Sequence, residues 1–429
     1  MSSAQLRDRV RRGAIGGVVL TLGLVTAGLA AEVLAAGDNL PLGDDDLQET
    51  RVVRRPADGV KLIRIYRGEG KADPARIGST QQGPWRVRAL IIDPDATTGH
   101  LRASFGDDLG RTETVTELAR YTDAVAGTNG GFFSLGSDSA SRGNPVGLAI
   151  HHGVVESEPT SYAPETHFLL DAANTTARVT KLRWKGALAH VPSGTRIGLD
   201  HVNEPPTIPE GCGGPRRDPL ECLSQGEISV FTAEWGPVTP SGSGVEAVLD
   251  RAGCVVASTT RRGTTLRPGQ IAVQATGLDA LSLVEMVALG CLQRTDTLTD
   301  ATGARVTLTP STFAVNGRYQ LLKAGRIVAP TGTSGFLGRA PRTIAGVDAD
   351  GRIILVTIDG RSPTSVGATM TETAQVAKSL GMVEAVNLDG GGSSVMSING
   401  HASNKPSDGQ ERSVGDALVY VPAPWRPGI

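Results

Sequence analysis

Residues 384–394 read EAVNLDGGGSS, an apolar segment that runs directly into three glycines and two serines. Upstream, residues 369–374 read TMTETA, in which Thr369 and Glu372 have the spacing of a helix-capping box. Gly381, between the two stretches, is a typical residue at the end of a helix. The sequence therefore predicts a helix, a buried strand and a glycine loop, in that order.

The same order of signals occurs earlier in the chain. Residues 114–119 read TVTELA, a second capping box, and residues 123–134 read DAVAGTNGGFFS. Aligning Asp123-Ala-Val with Glu384-Ala-Val places Gly130-Gly131 opposite Gly391-Gly392, and Thr128 opposite Asp389. The two stretches therefore indicate an internal repeat whose glycine loops lie at equivalent strand ends and together form one site.

A strand–turn–strand pattern follows each loop, around His152-Gly153 and around Asn399-Gly400. We therefore predict a mixed α/β (α+β) fold, in which repeated helix–strand–glycine-loop–hairpin units surround mixed sheets. Residues 85–425 are expected to form this domain, and residues 37–84 a linker and N-terminal extension. Within the domain, the β-leaning segment at about 191–322, rich in Pro, Gly and Thr, is expected to be an insertion.

The N-terminus carries a predicted export signal. Four arginines between positions 7 and 12 precede a run of small and apolar residues from 13 to 31. We predict that residues 1–36 are a signal peptide or, alternatively, an N-terminal membrane anchor, since the run is nearly long enough to span a bilayer. The balance of 42 Lys and Arg against 44 Asp and Glu gives no strong basic field and argues against nucleic-acid binding.

All four cysteines lie in the predicted insertion. An even number of cysteines in an exported chain favours two disulfides, Cys212–Cys222 and Cys254–Cys291, although four buried thiols are the alternative. The spacings contain no C-x-x-C pair, which argues against a zinc site.

The second glycine loop has the composition of an anion site. The N–H groups of Gly390, Gly391 and Gly392 can point at one centre, and the hydroxyls of Ser393 and Ser394 add donors. Asp389 places a carboxylate at the entrance, and the first loop adds Asn129 and Gly130. The alternative is a plain glycine turn, but the position after a buried strand and the matching first loop favour a functional site.

Three arginines and a second aspartate are further candidates. Asp359 and Arg361 follow the apolar segment 353–358, and a guanidinium can bind phosphate through two hydrogen bonds. Arg342 and Arg412 are weaker candidates, because either could be a structural ion pair. We assign Glu372 to helix capping, because Glu117 repeats its relation to a threonine.

Taken together, these motifs resemble the phosphodiester glycosidase family. The resemblance covers roughly residues 85–422 and rests on residues 123–134 with 144–148, 341–346, 359–361, 387–394 and 406–412. It implies a mixed α/β fold and a site for a sugar joined to phosphate, and we expect no metal and no other cofactor.

The resemblance implies an exported glycosidase that cleaves the C–O bond between an anomeric carbon and a phosphodiester. Asp389 is the first choice for the carboxylate that acts at the anomeric carbon, and Asp359 is the second. The expected partner is a phosphoglycan or sugar phosphate of the cell envelope or extracellular space. The protein would be secreted or anchored outside the cytoplasm, with membrane association through its N-terminus as an option. The alternatives are a glycan-binding protein without activity and a phosphodiesterase that cuts the P–O bond.

Overall fold

Antiparallel β-sheets dominate the computed structural model, which describes residues 32–34, 39–136, 142–214 and 217–427. Apart from residues 32–34, the predicted signal peptide or anchor lies outside the described residues. The described part of the chain contains no helix long and apolar enough to cross a membrane.

The described helices are short, and two of them begin at the capping boxes. They are α1 (Val115–Tyr121), α2 (Asp279–Val287) and α3 (Met370–Ser379). In α1 and α3 the capping threonine hydroxyl accepts the glutamate N–H, and the glutamate carboxylate accepts the threonine N–H. The reciprocal bonds satisfy two N–H groups that a helix start otherwise leaves unpaired.

The strands, in chain order, are β1 (Glu32–Leu34), β2 (Glu49–Ala57), β3 (Val60–Arg67), β4 (Trp85–Ile92), β5 (His100–Ser104), β6 (Ala126–Asn129), β7 (Ala149–His151), β8 (Val154–Ser157), β9 (Glu165–Asp171), β10 (Thr176–Thr180), β11 (Leu182–His190), β12 (Thr195–Leu199), β13 (His201–Val202), β14 (Ile228–Phe231), β15 (Gly242–Leu249), β16 (Val255–Arg262), β17 (Ile271–Ala275), β18 (Gln293–Asp300), β19 (Arg305–Val306), β20 (Thr312–Arg318), β21 (Gln320–Lys323), β22 (Arg326–Ile327), β23 (Arg342–Asp348), β24 (Ile353–Ile358), β25 (Met382–Asn387), β26 (Met396–Ile398), β27 (His401–Ala402) and β28 (Ala417–Val421).

These strands form five sheets. The largest has the order β1-β2-β3-β4-β24-β23-β25-β21-β22, and the others are β10-β9-β20-β7-β8, β12-β11-β18-β19, β13-β14-β17-β15-β16 and β27-β26-β6-β28-β5. Among the described pairings only β13–β14 is parallel.

The predicted α/β class of repeated helix–strand units is therefore wrong, because the chain is mainly β. The capping boxes identify their helices correctly, but α1 and α3 contain only seven and ten residues. The strands that follow them also lie in different sheets, β6 in a five-stranded sheet and β25 in the nine-stranded one. Many strands also pair with partners that are distant in sequence, such as β4 with β24 and β6 with β28, and such pairings leave little local signal.

The nine-stranded sheet is buried on both faces. Along β4, Trp85 and Val87 pack into a core that includes Met370 and Ala374 of α3, whereas Leu90 and Ile92 point into a second core. Residues from β9, β20 and β28, among them Phe168, Phe313 and Leu418, complete that second core. The alternation of side chains along a strand thus places helix α3 and the smaller sheets on opposite faces.

The segment predicted as an insertion packs into a third core. Val230, Val273 and Leu283 lie there together with Leu148 and Ile150, which come from outside the 191–322 segment. Both predicted disulfides are present, Cys212–Cys222 and Cys254–Cys291.

Candidate active site

The two glycine loops lie side by side. β6 ends at Asn129 and opens the first loop, and β25 leads into the second. The Asn129 side chain donates a hydrogen bond of 2.7 Å from Nδ2 to the backbone oxygen of Asp389. In return, the Asp389 N–H donates to the Gly130 oxygen over 3.2 Å. Residues 260 positions apart in the chain are thereby joined at one place.

Asn129 acts as a buried cross-link, because the rest of its amide is also used. Its Oδ1 accepts hydrogen bonds from the Thr343 hydroxyl at 2.8 Å and from the Val395 N–H at 3.3 Å. The side chain is only 1% exposed. Asn129 therefore ties both loops to β23 rather than presenting free groups to a ligand.

Glycine is required in the second loop because other groups pass close to the backbone. A Cβ on Gly391, which has a φ of +63°, would lie 3.2 Å from a guanidinium nitrogen of Arg361. A Cβ on Gly392 would lie 2.1 Å from a carboxylate oxygen of Asp408. The loop thus brings charged side chains against its own backbone, and the positive φ of Gly391 disfavours any residue with a Cβ at that position.

Arg361 is the most available cation of the site. Its side chain is exposed and makes no hydrogen bond or ion pair with any residue that the structure describes. Its backbone has a φ of +56°, a left-handed conformation that costs energy for a residue with a Cβ. The guanidinium lies over Gly391 and is free to bind an anion.

Arg412 and Arg342 are more committed. Arg412 binds Asp408 through Nε at 2.9 Å and Nη2 at 2.6 Å, while its charge still lowers the pKa of Asp389. Arg342 is buried and donates to the backbone oxygens of Ala368 at 3.1 Å and Phe336 at 2.9 Å. Burial lowers the pKa of Arg342 to about 10, and the positive charge of Arg361 adds to this effect.

Asp389 is the accessible carboxylate between the loops. It is half-buried, and its Oδ1 accepts the Gly390 N–H at 2.8 Å. Burial raises the pKa of Asp389, while the Ser393 hydroxyl, the Gly390 N–H and the charges of Arg412 and Arg318 act in the opposite direction. The Ser394 hydroxyl is turned inward and accepts from Thr343 over 3.2 Å.

Asp359 has a supporting position. Its Oδ2 pairs with Arg88 at 2.9 Å, and its Oδ1 accepts from Nδ2 of Asn404 at 3.0 Å. The same Nδ2 donates to the Ser394 oxygen at 2.9 Å. The carboxylate is 5% exposed, and both oxygens are engaged. Asp359 therefore steadies the glycine loop through Asn404.

Asp416 is a site residue that the sequence reasoning missed. Its Oδ1 accepts the Gly131 N–H at 2.7 Å, and a Cβ on Gly130 would lie 2.4 Å from that oxygen. Its Oδ2 is buried and has no hydrogen-bond partner among the described residues. Burial raises the pKa of Asp416 to about 7, and the negative charge of Asp389 contributes. Only the pairing of β28 with β6, between Ala417 and Asn129, brings it here.

Arg318 was also missed. Its guanidinium lies 4.7 Å from the centroid of the Phe132 ring and 5.2 Å from that of Tyr162. Its charge lowers the pKa of Asp389, so it belongs to the same site. Phe132 follows the glycines of the first loop, but no local sequence pattern relates it to Arg318.

The sequence model of the phosphodiester glycosidase family matches residues 243–421. This range contains the second glycine loop, Arg342, Arg361, Arg412 and Asp416, whereas the first loop precedes it. The resemblance inferred from the motifs is thereby confirmed.

Two curated relatives match shorter stretches. The SPbeta prophage-derived uncharacterized protein YomE of Bacillus subtilis is 42% identical over 79 residues, which are 18% of this chain and 12% of that protein. N-acetylglucosamine-1-phosphodiester alpha-N-acetylglucosaminidase of Mus musculus is 39% identical over 67 residues, 16% of this chain and 13% of that protein. The chain thus matches about an eighth of the length of these relatives.

Two solved structures share the fold. A predicted exported protein of Burkholderia pseudomallei superposes with a TM-score of 0.73 at 25% identity, covering 91% of this chain and all of the other. A hypothetical protein from Synechocystis superposes with a TM-score of 0.62 at 19% identity, covering 91% of this chain and 72% of the other.

Proposed function

Residues 243–421 match the phosphodiester glycosidase family, and from this premise we propose that the protein is a hydrolase that releases a sugar from a sugar-1-phosphodiester. The reaction breaks the C–O bond at the anomeric carbon, with the phosphodiester as leaving group. The observation that carries the proposal is the half-buried Asp389 between two glycine loops, with the unpaired guanidinium of Arg361 over the second loop.

The phosphate side of the site consists of hydrogen-bond donors. Arg361 is free, and Arg412 lies close enough to Asp389 to lower its pKa. In the second loop the N–H groups of Gly390 and Gly391 already donate to Asp389 Oδ1 and to the Pro341 oxygen, so Arg361 is the available donor. Donors placed where negative charge develops lower the barrier to departure of the phosphodiester. Since phosphate is a good leaving group, strong general-acid help is less necessary here than in ordinary glycosidases.

The sugar side requires a carboxylate, which Asp389 supplies. Its negative charge stabilises the oxocarbenium-like sugar, either by direct attack on the anomeric carbon or by activating water. Asp416, neighbouring Asp389, has a pKa of about 7 and is protonated in mild acid. Asp389 and Asp416 are adjacent, and two adjacent carboxyl groups do not both ionise readily. The pair then carries a single negative charge, which lies on Asp389 because it is the more accessible of the two.

The natural substrate would be a phosphoglycan of the cell envelope or the extracellular space. Two disulfides and the similarity to a predicted exported protein support a location outside the cytoplasm. The arginine-rich start followed by an apolar run supports export through the N-terminus.

The decisive experiment is incubation of the purified protein with a panel of sugar-1-phosphodiesters in isotopically labelled water. We expect free sugar to appear with the label in the sugar. Label in the phosphate would instead identify a phosphodiesterase that cuts the P–O bond. Binding of phosphoglycans without any released sugar would identify a glycan-binding protein.

A further inference from the structure

Four aromatic rings form a continuous cluster beside the glycine loops. The centroid of Phe336 lies 5.9 Å from that of Phe132 and 5.9 Å from that of Tyr319. The Tyr319 hydroxyl lies 3.3 Å from the hydroxyl of Tyr162. We call these four residues the aromatic cluster. It adjoins the site directly, because Phe132 lies two residues after Gly130, whose oxygen accepts the Asp389 N–H.

Arg318 links the aromatic cluster to the reacting centre. Its guanidinium contacts the rings of Phe132 and Tyr162, and no ion pair of Arg318 occurs among the described residues. The same charge acts on Asp389. The rings therefore lie within reach of a molecule whose anomeric carbon is at Asp389.

The aromatic cluster is held in place from beneath while the rings of Phe336 and Tyr162 remain exposed and those of Phe132 and Tyr319 are half-buried. The Phe132 N–H donates to the Asn316 side chain at 2.9 Å, and the Phe336 oxygen accepts from Arg342. Yet Phe336 is 44% exposed and Tyr162 is 46% exposed. A supported group of exposed aromatic rings next to a polar centre is typical of a binding surface, because folding alone would bury the rings.

We propose that the aromatic cluster is the sugar subsite, which stacks against the apolar C–H face of a pyranose ring. The phosphate would then lie with Arg361 and the second glycine loop. This inference rests on the proposed function and adds to it the means by which the sugar is held. Aromatic rings combine a large apolar area with few rotatable bonds, so they bind such a face at low entropic cost.

The test compares Phe336→Ala and Tyr162→Ala with the unchanged protein. We would measure the KM for the best sugar-1-phosphodiester of the panel. We would also measure inhibition by the released sugar and inhibition by inorganic phosphate. We expect each variant to weaken sugar inhibition by about two- to tenfold, the scale of one aromatic contact, and to leave phosphate inhibition unchanged. Phe336→Tyr should retain sugar binding, because it keeps an aromatic ring at this position. Arg361→Ala should weaken phosphate inhibition and leave sugar inhibition unchanged.

Tyr121→Ala is the matched control, because Tyr121 is an aromatic residue that is 61% exposed and lies outside the aromatic cluster. It should leave both inhibitors unaffected. The subsite would be overturned if Phe336→Ala lost sugar and phosphate inhibition equally, or if neither variant lost any inhibition. The proposed function would still hold in that case, provided that the unchanged protein releases sugar.

Failure of the sugar subsite can be distinguished from failure of the proposed function even if the protein shows no turnover. If the protein releases no sugar, binding of free pyranoses, with N-acetylglucosamine as the first probe, is followed by saturation-transfer NMR. Binding that is weakened in Phe336→Ala supports the subsite although the glycosidase activity fails. No binding of any pyranose by the unchanged protein overturns the subsite.

Discussion

Three of the aspartates near the two glycine loops are candidates for a chemical role, and their surroundings differ. Asp359 is engaged by Arg88 and Asn404, Asp416 is buried against Gly131, and Asp389 is half-buried with one oxygen on the Gly390 N–H. A carboxylate that acts on a substrate must be accessible. A carboxylate whose two oxygens are both hydrogen-bonded within the protein stabilises the fold instead. The hydrogen-bond partners therefore favour Asp389 over Asp359, which the sequence alone ranked first and second on their positions.

The first prediction separates Asp389 from Glu372. Asp389→Asn should lower sugar release by about 100-fold or more, since it removes the charge that faces the anomeric carbon. Glu372→Gln should retain most activity, because glutamine also accepts the Thr369 N–H, although it weakens the 2.8 Å ion pair with Arg339. Sugar release and thermal unfolding are measured for both. An active Asp389→Asn with a folded but inactive Glu372→Gln would reverse the assignment.

The second prediction concerns Asp416. The pKa of this group is raised to about 7, so its protonated form is the one that the fold prefers, and activity should fall as the pH rises through about 7. Asp416→Asn keeps an oxygen for the Gly131 N–H and cannot ionise. Its pH–rate profile should therefore lose this alkaline limb, while the low-pH limb remains. An unchanged limb near pH 7 would show that another group controls it.

At the scale of elements, the sequence predicted local features better than long-range ones. Both capping boxes were visible because their donors and acceptors lie three residues apart. The glycine loops were visible by composition. Asp416 and Arg318 were not visible in the sequence. The pairing of β28 with β6 places Asp416 in the site, and the contact of β20 with Phe132 places Arg318 there. Neither relation has a local sequence pattern.

The third prediction tests the cross-link between β6 and the second loop. Asn129→Ala removes four hydrogen bonds and leaves the Thr343 hydroxyl without one of its buried partners, so the free energy of unfolding should fall by about 1–3 kcal/mol. Turnover should also fall, because the loops lose their mutual position. Asn174→Ala, which removes an exposed asparagine bond to Asp171, is the control and should change stability little. Full stability and activity in Asn129→Ala would contradict the cross-link.

The fourth prediction compares the two disulfides. Non-reduced peptide mapping should find Cys212–Cys222 and Cys254–Cys291, which close loops with sequence separations of 10 and 37. In the chain-entropy model a longer loop restricts the unfolded chain more, so replacing Cys254 and Cys291 by serine should cost about 1 kcal/mol more than replacing the other pair. Denaturant unfolding of the two double variants measures the difference. Four free thiols would contradict both bridges.

Across the whole molecule, several groups have a raised pKa, and each of them stabilises the fold more at low pH than at high pH. Burial raises the pKa of Glu113, Glu156 and Asp416 to about 7 in each case. A group with a raised pKa in the folded state stabilises the fold fully below its unfolded pKa, and this contribution is lost as the pH rises through the folded value. His201 follows the same sign, because Glu158, at 2.8 Å, with Glu204 and Glu227, raises its pKa to about 9.

The fifth prediction is therefore that these groups lose their contribution to thermal stability in two overlapping stages, Glu156 between pH 4.5 and about 7 and His201 between pH 6.5 and about 9. Buried His151 has the opposite sign, because burial lowers its pKa to about 3 and its contribution is lost as the pH falls below 6.5. Calorimetry between pH 4 and pH 10 measures the profile. Glu158→Gln removes the carboxylate charge that lies 2.8 Å from His201 Nδ1 and should flatten the second stage only. A stability maximum in alkaline solution would contradict the assignment of these groups.

The pairing of β6 with β26 and β28 also has a consequence for biosynthesis. The strand that opens the first loop finds its hydrogen-bond partners at residues 396–398 and 417–421, nearly three hundred positions later. Closing so large a separation is entropically slow, and it cannot begin while the later strands are still inside the ribosome. The candidate site is therefore among the last parts of the molecule to assemble, so a nascent chain carries the first glycine loop long before the second loop can lie beside it.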